Sequence, residues 1–525
     1  MPDSRYYITT TIAYVNGKPH IGFALELAQT DVFARYHRLC GDDTYALTGT
    51  DENSLTNVLS AEKEGIPVRQ LVDRNSQFFA DLAKHLHFDC SQFIRTAADP
   101  RHAAGVQKLW KAVAAAGDLY TKQYSGLYCV RCERYYAEDE LEDGLCPQHQ
   151  IAPEQVEEEN YFFRLSRYQD RLHKLISSDD LHIIPEFRKR EVMRFIESGL
   201  EDFSVSRSRE RAHGWGIEVP GDPSQVIYVW FDALANYITA LDFADDGELY
   251  QRFWVNNPRR VHVLGKDVIR FHAVYWPAML LSAGLPLPHT EFVHGFINLA
   301  GGKMSKTIGN VIDPEALIAH YGAEAVRYYL LRAISPTTDS NFSYEALDAR
   351  YNADLANDLG NLLNRTVSMI GRYREGIVPE PGSNTDQEVR KLAEQIPQQL
   401  NQALTTYDPQ HALDAVWTLV TRANKFVEDS APWTLAKEAR SGGEDAARSL
   451  DAALYTLAES VRIIAVSLEP LLPEAAGAMQ RQLGIADSSA SWPDRLQWGG
   501  LRSGTRVAKP NPLFPRLESP LPVGA

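Results

Sequence analysis

Arg5–Asn16 reads RYYITTTIAYVN, His20–Leu39 reads HIGFALELAQTDVFARYHRL, and Thr44–Thr50 reads TYALTGT. β-Branched and aromatic residues dominate the first and third runs, as in strands buried within a sheet. The middle run carries its apolar residues at helical spacing. Strand, turn, helix, strand is the opening of a parallel α/β sheet, since parallel neighbours need a crossover between them.

Outward from this stretch, residues 1–118 read as the first half of an α/β domain. Alternation stops in 119–222, which holds three of the five cysteines and many charges. It resumes over 223–345 with QVIYVWFDAL (Gln225–Leu234), RRVHVLGKD (Arg259–Asp267), a helix expected from about Ile269 to Ser282, and EFVHGFINL (Glu291–Leu299). One α/β domain interrupted by an inserted one accounts for this order. Residues 346–499 carry long stretches of 3.6 period and read as an all-α bundle. The Pro-rich tail, 500–525, is expected to be extended.

The 525 residues suggest three or so domains. Apolar content of 44 % and charged content of 23 % are ordinary globular values and exclude wholesale disorder, collagen or coiled coil. Five cysteines, an odd count, fit a reducing compartment, so a cytoplasmic protein is expected. The N-terminus, MPDSRYYITTTIAYVN, has no basic start and no long apolar run, so no signal peptide is expected. With 53 Lys and Arg against 69 Asp and Glu, the net charge is −16. That balance argues against DNA or a membrane as partner, while leaving room for a local basic patch that holds one RNA.

Three motifs carry chemistry. Pro19-His20-Ile21-Gly22 falls at a strand-to-helix turn, where unpaired N–H groups and the helix dipole accept phosphate. Gly22 lets backbone approach a nucleotide, and His20 can donate to a phosphate oxygen. Gly301–Asn310 (GGKMSKTIGN) places Lys303 and Lys306 three apart on a Gly-flanked loop, able to wrap a polyphosphate and stabilise charge on a departing one. Cys129-x2-Cys132 and Cys146-x2-His149 form two knuckles that can meet at one tetrahedral Zn2+. A closed Cys3His set leaves no open position, so the metal is expected to be structural.

HIGF and KMSKT resemble the HIGH and KMSKS signatures of class I aminoacyl-tRNA synthetases. Tyr14–Gly22 (YVNGKPHIG), Leu47–Glu52 (LTGTDE), Tyr228–Leu234 (YVWFDAL), Gly265–Leu280 (GKDVIRFHAVYWPAML) and Gly301–Pro314 (GGKMSKTIGNVIDP) are similar to the methionyl-tRNA synthetase family in particular. The resemblance runs from about Arg5 to Leu483 and implies a Rossmann-type catalytic domain, an inserted zinc knuckle and an α-helical anticodon-binding domain. It implies activation of methionine by ATP with Mg2+, then transfer to tRNA(Met). By the same resemblance His20, Lys303 and Lys306 are catalytic, and Gly22 and Ser305 join them in binding ATP. Ile12, Tyr14, Asp51, Trp230, Ala233, Tyr237, Phe271, His272 and Trp276 match the methionine pocket. The chemistry agrees: rings make favourable contacts with a thioether, and the Asp51 carboxylate can pair with an α-ammonium. Asn361, Arg365 and Trp433 match the positions that read the anticodon.

The pattern departs from the family beside the site. Phe23 replaces the second His of HIGH, Asn53-Ser54 replaces the usual His-Gly, Thr11 a Pro, and Ala13 an aromatic. A phenyl ring has no donor for ATP phosphates, and losing one such contact costs about 3 kcal/mol, so slower adenylation is expected. These departures leave two other readings beside the ligase. One is a paralogue that delivers an activated amino acid to a small molecule or protein. The other is a non-catalytic RNA-binding protein on a synthetase scaffold.

Overall fold

The computed structural model describes residues 4–130, 134–136, 138–147, 150–299, 312–382, 386–485 and 490–517. The chain forms two compact units. The first comprises Met1–Pro19, Asp43–Lys84 and Asp89–His294; the second comprises His20–Asp42, His85–Phe88 and Gly295–Ala525.

The first unit is built on a seven-stranded sheet. Across it run Ala13–Tyr14, Asp43–Asp51, Arg5–Thr9, Arg260–Gly265, Thr290–His294 and His182–Ile184, with Gln92–Arg95 also paired to Asp43–Asp51. Every pairing is parallel, as the opening runs predict. Ile8, Ala46, Leu47, Val263 and Phe292 are fully buried, as strands covered on both faces require. His182–Ile184, assigned from sequence to the insertion, is an edge strand of this sheet. Three residues between charged stretches carry too little pattern to announce a strand. The insertion itself is antiparallel: Arg134–Tyr136, Leu119–Cys129, Glu154–Phe163 and Phe203–Ser204 lie in that order. A three-stranded sheet of Ser206–Ser208, Asp222–Ile227 and Glu218–Val219 follows it in the chain.

Polar residues are buried in this sheet too, Glu291 among them. Glu291 stands beside His262 in register, is wholly buried, and neither of its carboxylate oxygens meets a hydrogen-bond partner among the described residues. Burial pushes its carboxyl well above the ordinary 4.5. The folded state therefore holds a proton that the unfolded chain releases above that value, so stability is fully present at low pH and falls as pH rises. The slope is at most about 1.4 kcal/mol per pH unit. Glu291→Gln is expected to stabilise the protein at pH 8, with the gain shrinking towards pH 5, as read by thermal unfolding across that range. A gain that is the same at both pH values contradicts the reading.

The second unit is helical. Glu444–Ser467 is its central helix, buried almost all round from Leu450 onward. Its interior hydroxyls, Thr456, Ser460 and Ser467, each donate to the carbonyl four residues back. Glu459 pairs with Arg462 and accepts from the N–H groups of Gly499, Gly500 and Leu501 at 2.6–3.0 Å. That carboxylate fastens the start of the tail. The following residues are tied by Val378 N donating to Thr505 O and Ala508 N donating to Gln482 O. The unit also contains a short parallel ladder, Ile297–Leu299 with Ser340–Phe342, within 223–345, where the sequence reads as α/β.

Candidate active site

In the first unit, candidate pocket residues come from three places along the chain. Helix Val229–Thr239 follows directly on strand Asp222–Ile227 and carries Trp230, Ala233 and Tyr237 three and four residues apart, hence on one face. The helix expected from about Ile269 to Ser282 runs over 269–283, entered through the 3-10 turn Lys266–Val268 and widened to a π-helical turn at Phe271–Tyr275 before the α-helix Trp276–Ala283. Widened turns of this kind recur at functional sites, where they re-aim side chains. Here the widened turn holds Phe271 and His272 and leads directly into Trp276.

The rings meet. Trp230 stacks on Phe271 with centroids 3.7 Å apart, and Tyr14 meets Trp230 edge-on at 6.4 Å. Tyr237 lies 6.2 Å from Trp276, also edge-on. The hydroxyl of Tyr237 is 2.7 Å from Nε2 of His272, whose Nδ1 is 3.0 Å from the Val268 carbonyl. A carbonyl only accepts, so Nδ1 carries a proton. In the neutral ring Nε2 then accepts from the Tyr237 hydroxyl. The His262 ring lies tilted against Tyr237 with centroids 4.1 Å apart, and its Nδ1 sits 2.8 Å from the Thr9 hydroxyl. Burial and the neighbouring His272 and Arg260 hold it well below the ordinary histidine range, so it is neutral. Ile12 is half-buried and Ala233 buried.

Asp51 ends strand Asp43–Asp51 and is buried. The loop after it is held from several sides. Asn57 donates to the carbonyls of Asp51 and Glu52 at 3.1 and 3.0 Å, and Trp215 donates to that of Glu52 at 2.8 Å. The buried Glu52 carboxylate accepts from Arg95 at 2.6 Å and Ser76 at 2.5 Å. Asn53 donates to Asp232 at 2.8 Å, and Ser54 caps helix Leu55–Glu64 by accepting from Asn57 N. Sequence reading missed these supports. It also missed Arg207, buried with its guanidinium 4.2 Å from the Tyr228 ring centroid.

In the second unit His20 is the N-cap of helix Ile21–Leu39, its Nδ1 accepting from Gly22 N at 3.1 Å. The exposed ring therefore keeps its proton on Nε2, a donor suited to a phosphate oxygen. A Cβ at position 22 would stand 2.9 Å from His20 Cε1, so glycine lets the ring fold over the cap. Phe23 is buried. It packs into the unit and supplies no donor. Lys303, Ser305 and Lys306 lie outside the described residues.

The comparisons bear on this geometry. A family model described as "tRNA synthetases class I (M)" matches residues 6–155 and 149–367, and one described as "Anticodon binding domain of methionyl tRNA ligase" matches 378–520. The chain belongs to the methionyl-tRNA synthetases. It is 44 % identical over 523 residues to the methionine–tRNA ligase of Brucella suis, covering 98 % of both chains. It is 43 % identical over 516 residues to that of Caldanaerobacter subterraneus, covering 98 % of this chain and 79 % of the relative. Among solved structures, Mycobacterium tuberculosis methionyl-tRNA synthetase in complex with methionyl-adenylate matches with a TM-score of 0.92 at 41 % identity, covering 98 % of this chain and all of that one.

Two further regions of this synthetase bear on its partners. Cys129 ends strand Leu119–Cys129 and is buried with Cys146 and Tyr136 in a small cluster, Cys146 Sγ lying 3.5 Å from the Tyr136 hydroxyl. Cys132 and His149 lie outside the described residues. Thiolate sulfur is a zinc ligand, so these two buried thiols are compatible with the expected metal, while among the described residues no group of three or more His, Cys, Asp or Glu is placed to hold one. In the helical unit Asn361 and Arg365 lie one turn apart on helix Asn361–Tyr373. Arg365 pairs with Glu428 at 2.6 Å, and its guanidinium is 5.9 Å from the ring of Trp433, which is 45 % exposed. An exposed Trp beside an Arg makes a platform for an unstacked base. Among the described residues, no helix is long and apolar enough to cross a membrane.

Proposed function

We infer that this chain is a methionine–tRNA ligase, which activates methionine with ATP and Mg2+ as methionyl-adenylate and transfers it to tRNA(Met). The observation that carries the reading is the ring cluster of the first unit, in which the Tyr237–His272 pair sits among Trp230, Phe271 and Trp276. Its polarizable rings suit a thioether, and the buried carboxylate of Asp51 supplies the partner for an α-ammonium. In the reaction the methionine carboxylate attacks the α-phosphorus of ATP and pyrophosphate leaves. The terminal ribose hydroxyl of tRNA then attacks the acyl carbon and releases AMP. His20 donates from Nε2 to ATP phosphate beside Gly22, Lys303 and Lys306 neutralise the departing pyrophosphate, and Ser305 donates a hydrogen bond to ATP. Amino-acid-dependent ATP–pyrophosphate exchange across all twenty amino acids tests this. Methionine is expected to dominate, and a strong signal with another amino acid alone would defeat the reading. No observation favours the small-molecule paralogue or the non-catalytic scaffold.

Cys129, Cys132, Cys146 and His149 would hold one structural Zn2+ that closes the inserted knuckle. Metal analysis is expected to give one zinc per chain, lost in Cys129→Ser together with part of the insertion's stability, because metal binding in such knuckles is folding free energy. Zinc retained by that variant would rule the set out. The cytoplasm, with its reduced thiols, is the compartment this reading implies.

Asn361, Arg365 and Trp433 read the anticodon in the same proposal. Trp433→Ala is expected to leave methionine-dependent exchange unchanged while tRNA charging loses about 1–3 kcal/mol in kcat/KM, the worth of one stacked base. Equal charging by both proteins would remove Trp433 from the recognition surface.

A further inference from the structure

Asp232 has no exposed surface, yet it is a carboxylate in the helix that carries three of the candidate pocket residues. Its two oxygens are divided between two donors. Oδ1 faces Nε2 of His102, itself wholly buried, and Oδ2 accepts from Asn53 Nδ2 at 2.8 Å. The other ring nitrogen of His102 lies 2.7 Å from the hydroxyl of Thr239, at the far end of the same helix. Since a carboxylate oxygen only accepts, His102 Nε2 must carry a proton, and its ring is braced between Asp232 and Thr239. The direction of Asp232 is thus settled before Asn53 arrives.

Asn53 is two residues beyond Asp51, and Asp232 lies two beyond Trp230 and one before Ala233. The Asn53–Asp232 bond therefore joins the segment offering a carboxylate to an α-ammonium with the helix offering rings to a side chain. Those segments are 179 residues apart in sequence. We propose that Asn53 is a positioning residue for the amino-acid substrate, latching the Asp51 loop to helix Val229–Thr239 through the His102-braced carboxylate of Asp232. The proposal rests on methionine occupying this pocket. A side chain at position 53 must donate for the latch to close, and an acceptor there would face a carboxylate across 2.8 Å.

The test is ATP–pyrophosphate exchange by the full chain with methionine and ATP varied in turn. Losing one hydrogen bond to a charged group, Asn53→Ala is expected to raise KM for methionine about tenfold and change kcat and KM for ATP less than about threefold. Asn53→Asp is expected to do worse than alanine, because like charges then meet in a largely buried place. Asn53→His, which restores an N–H donor, is expected to return KM for methionine to within about twofold of the parent. A KM for methionine unmoved by alanine in an active parent overturns this proposal alone, as does a KM for ATP that rises in step. A parent silent with methionine overturns the functional reading and this proposal with it.

Discussion

Replacing Asp51 by Asn is expected to lower kcat/KM for methionine in pyrophosphate exchange roughly 30- to 4,000-fold, equivalent to losing about 2–5 kcal/mol for one member of a buried charge pair. The amide keeps the shape of the carboxylate and removes its charge, so the effect isolates the attraction for the substrate α-ammonium. The surroundings argue that the loop survives the change. Its backbone is held by Asn57 and Trp215, and Glu52 by Arg95 and Ser76, with none of these bonds made through the Asp51 side chain. An unaltered circular dichroism spectrum alongside the lost exchange is therefore the expected pair of results. Asp51→Asn with an unchanged KM for methionine would remove Asp51 from the pocket.

The second large effect is on stability. Arg327 is wholly buried in the helical unit, with Nη2 2.8 Å from the equally buried Asp31 carboxylate. It also donates to the carbonyl of Leu471 at 3.1 and 3.2 Å and to that of Leu86 at 2.9 Å. Arg327→Met leaves two carbonyls without this donor and Asp31 with one guanidinium, that of Arg35, where it had two. Breaking a buried pair on one side costs about 3–5 kcal/mol, to be read as a lower midpoint in the denaturant transition of this unit. Arg327→Lys is expected to recover part of the loss, because a single ammonium cannot reach all three acceptors with the geometry of a guanidinium. Pairing Arg327→Met with Asp31→Asn should cost less than the sum of the two single changes, since both act on one interaction. Strict additivity would show that Arg327 works through its carbonyls alone.

Phe23 and Asn53 illustrate how departures from a family pattern take their meaning from the fold. At position 23 the sequence reports a missing donor; the structure adds that the ring is buried, so it serves packing. At position 53 the amide keeps a donor, aimed at Asp232. The sequence alone could not aim it.

What the sequence determined by itself is whatever has a local cause. The strand–helix–strand opening follows from side-chain periods of two and of 3.6 residues. The His20 cap follows from a polar residue and a glycine at a helix start. The face shared by Trp230, Ala233 and Tyr237, and that shared by Asn361 and Arg365, follow from spacing along one helix. Tertiary structure decided whatever joins distant segments. His182–Ile184 became a sheet edge through pairing with Thr290–His294, and Asp232 found His102 and Asn53 across 130 and 179 residues. Arg327 reached Leu471 across 144 residues, and a widened turn replaced the regular helix expected through Phe271 and His272. A residue's polarity states that it needs a partner once buried, because an unpaired polar group costs free energy. Which partner it meets depends on how the strands are ordered and the helices packed, and no period along the chain encodes that.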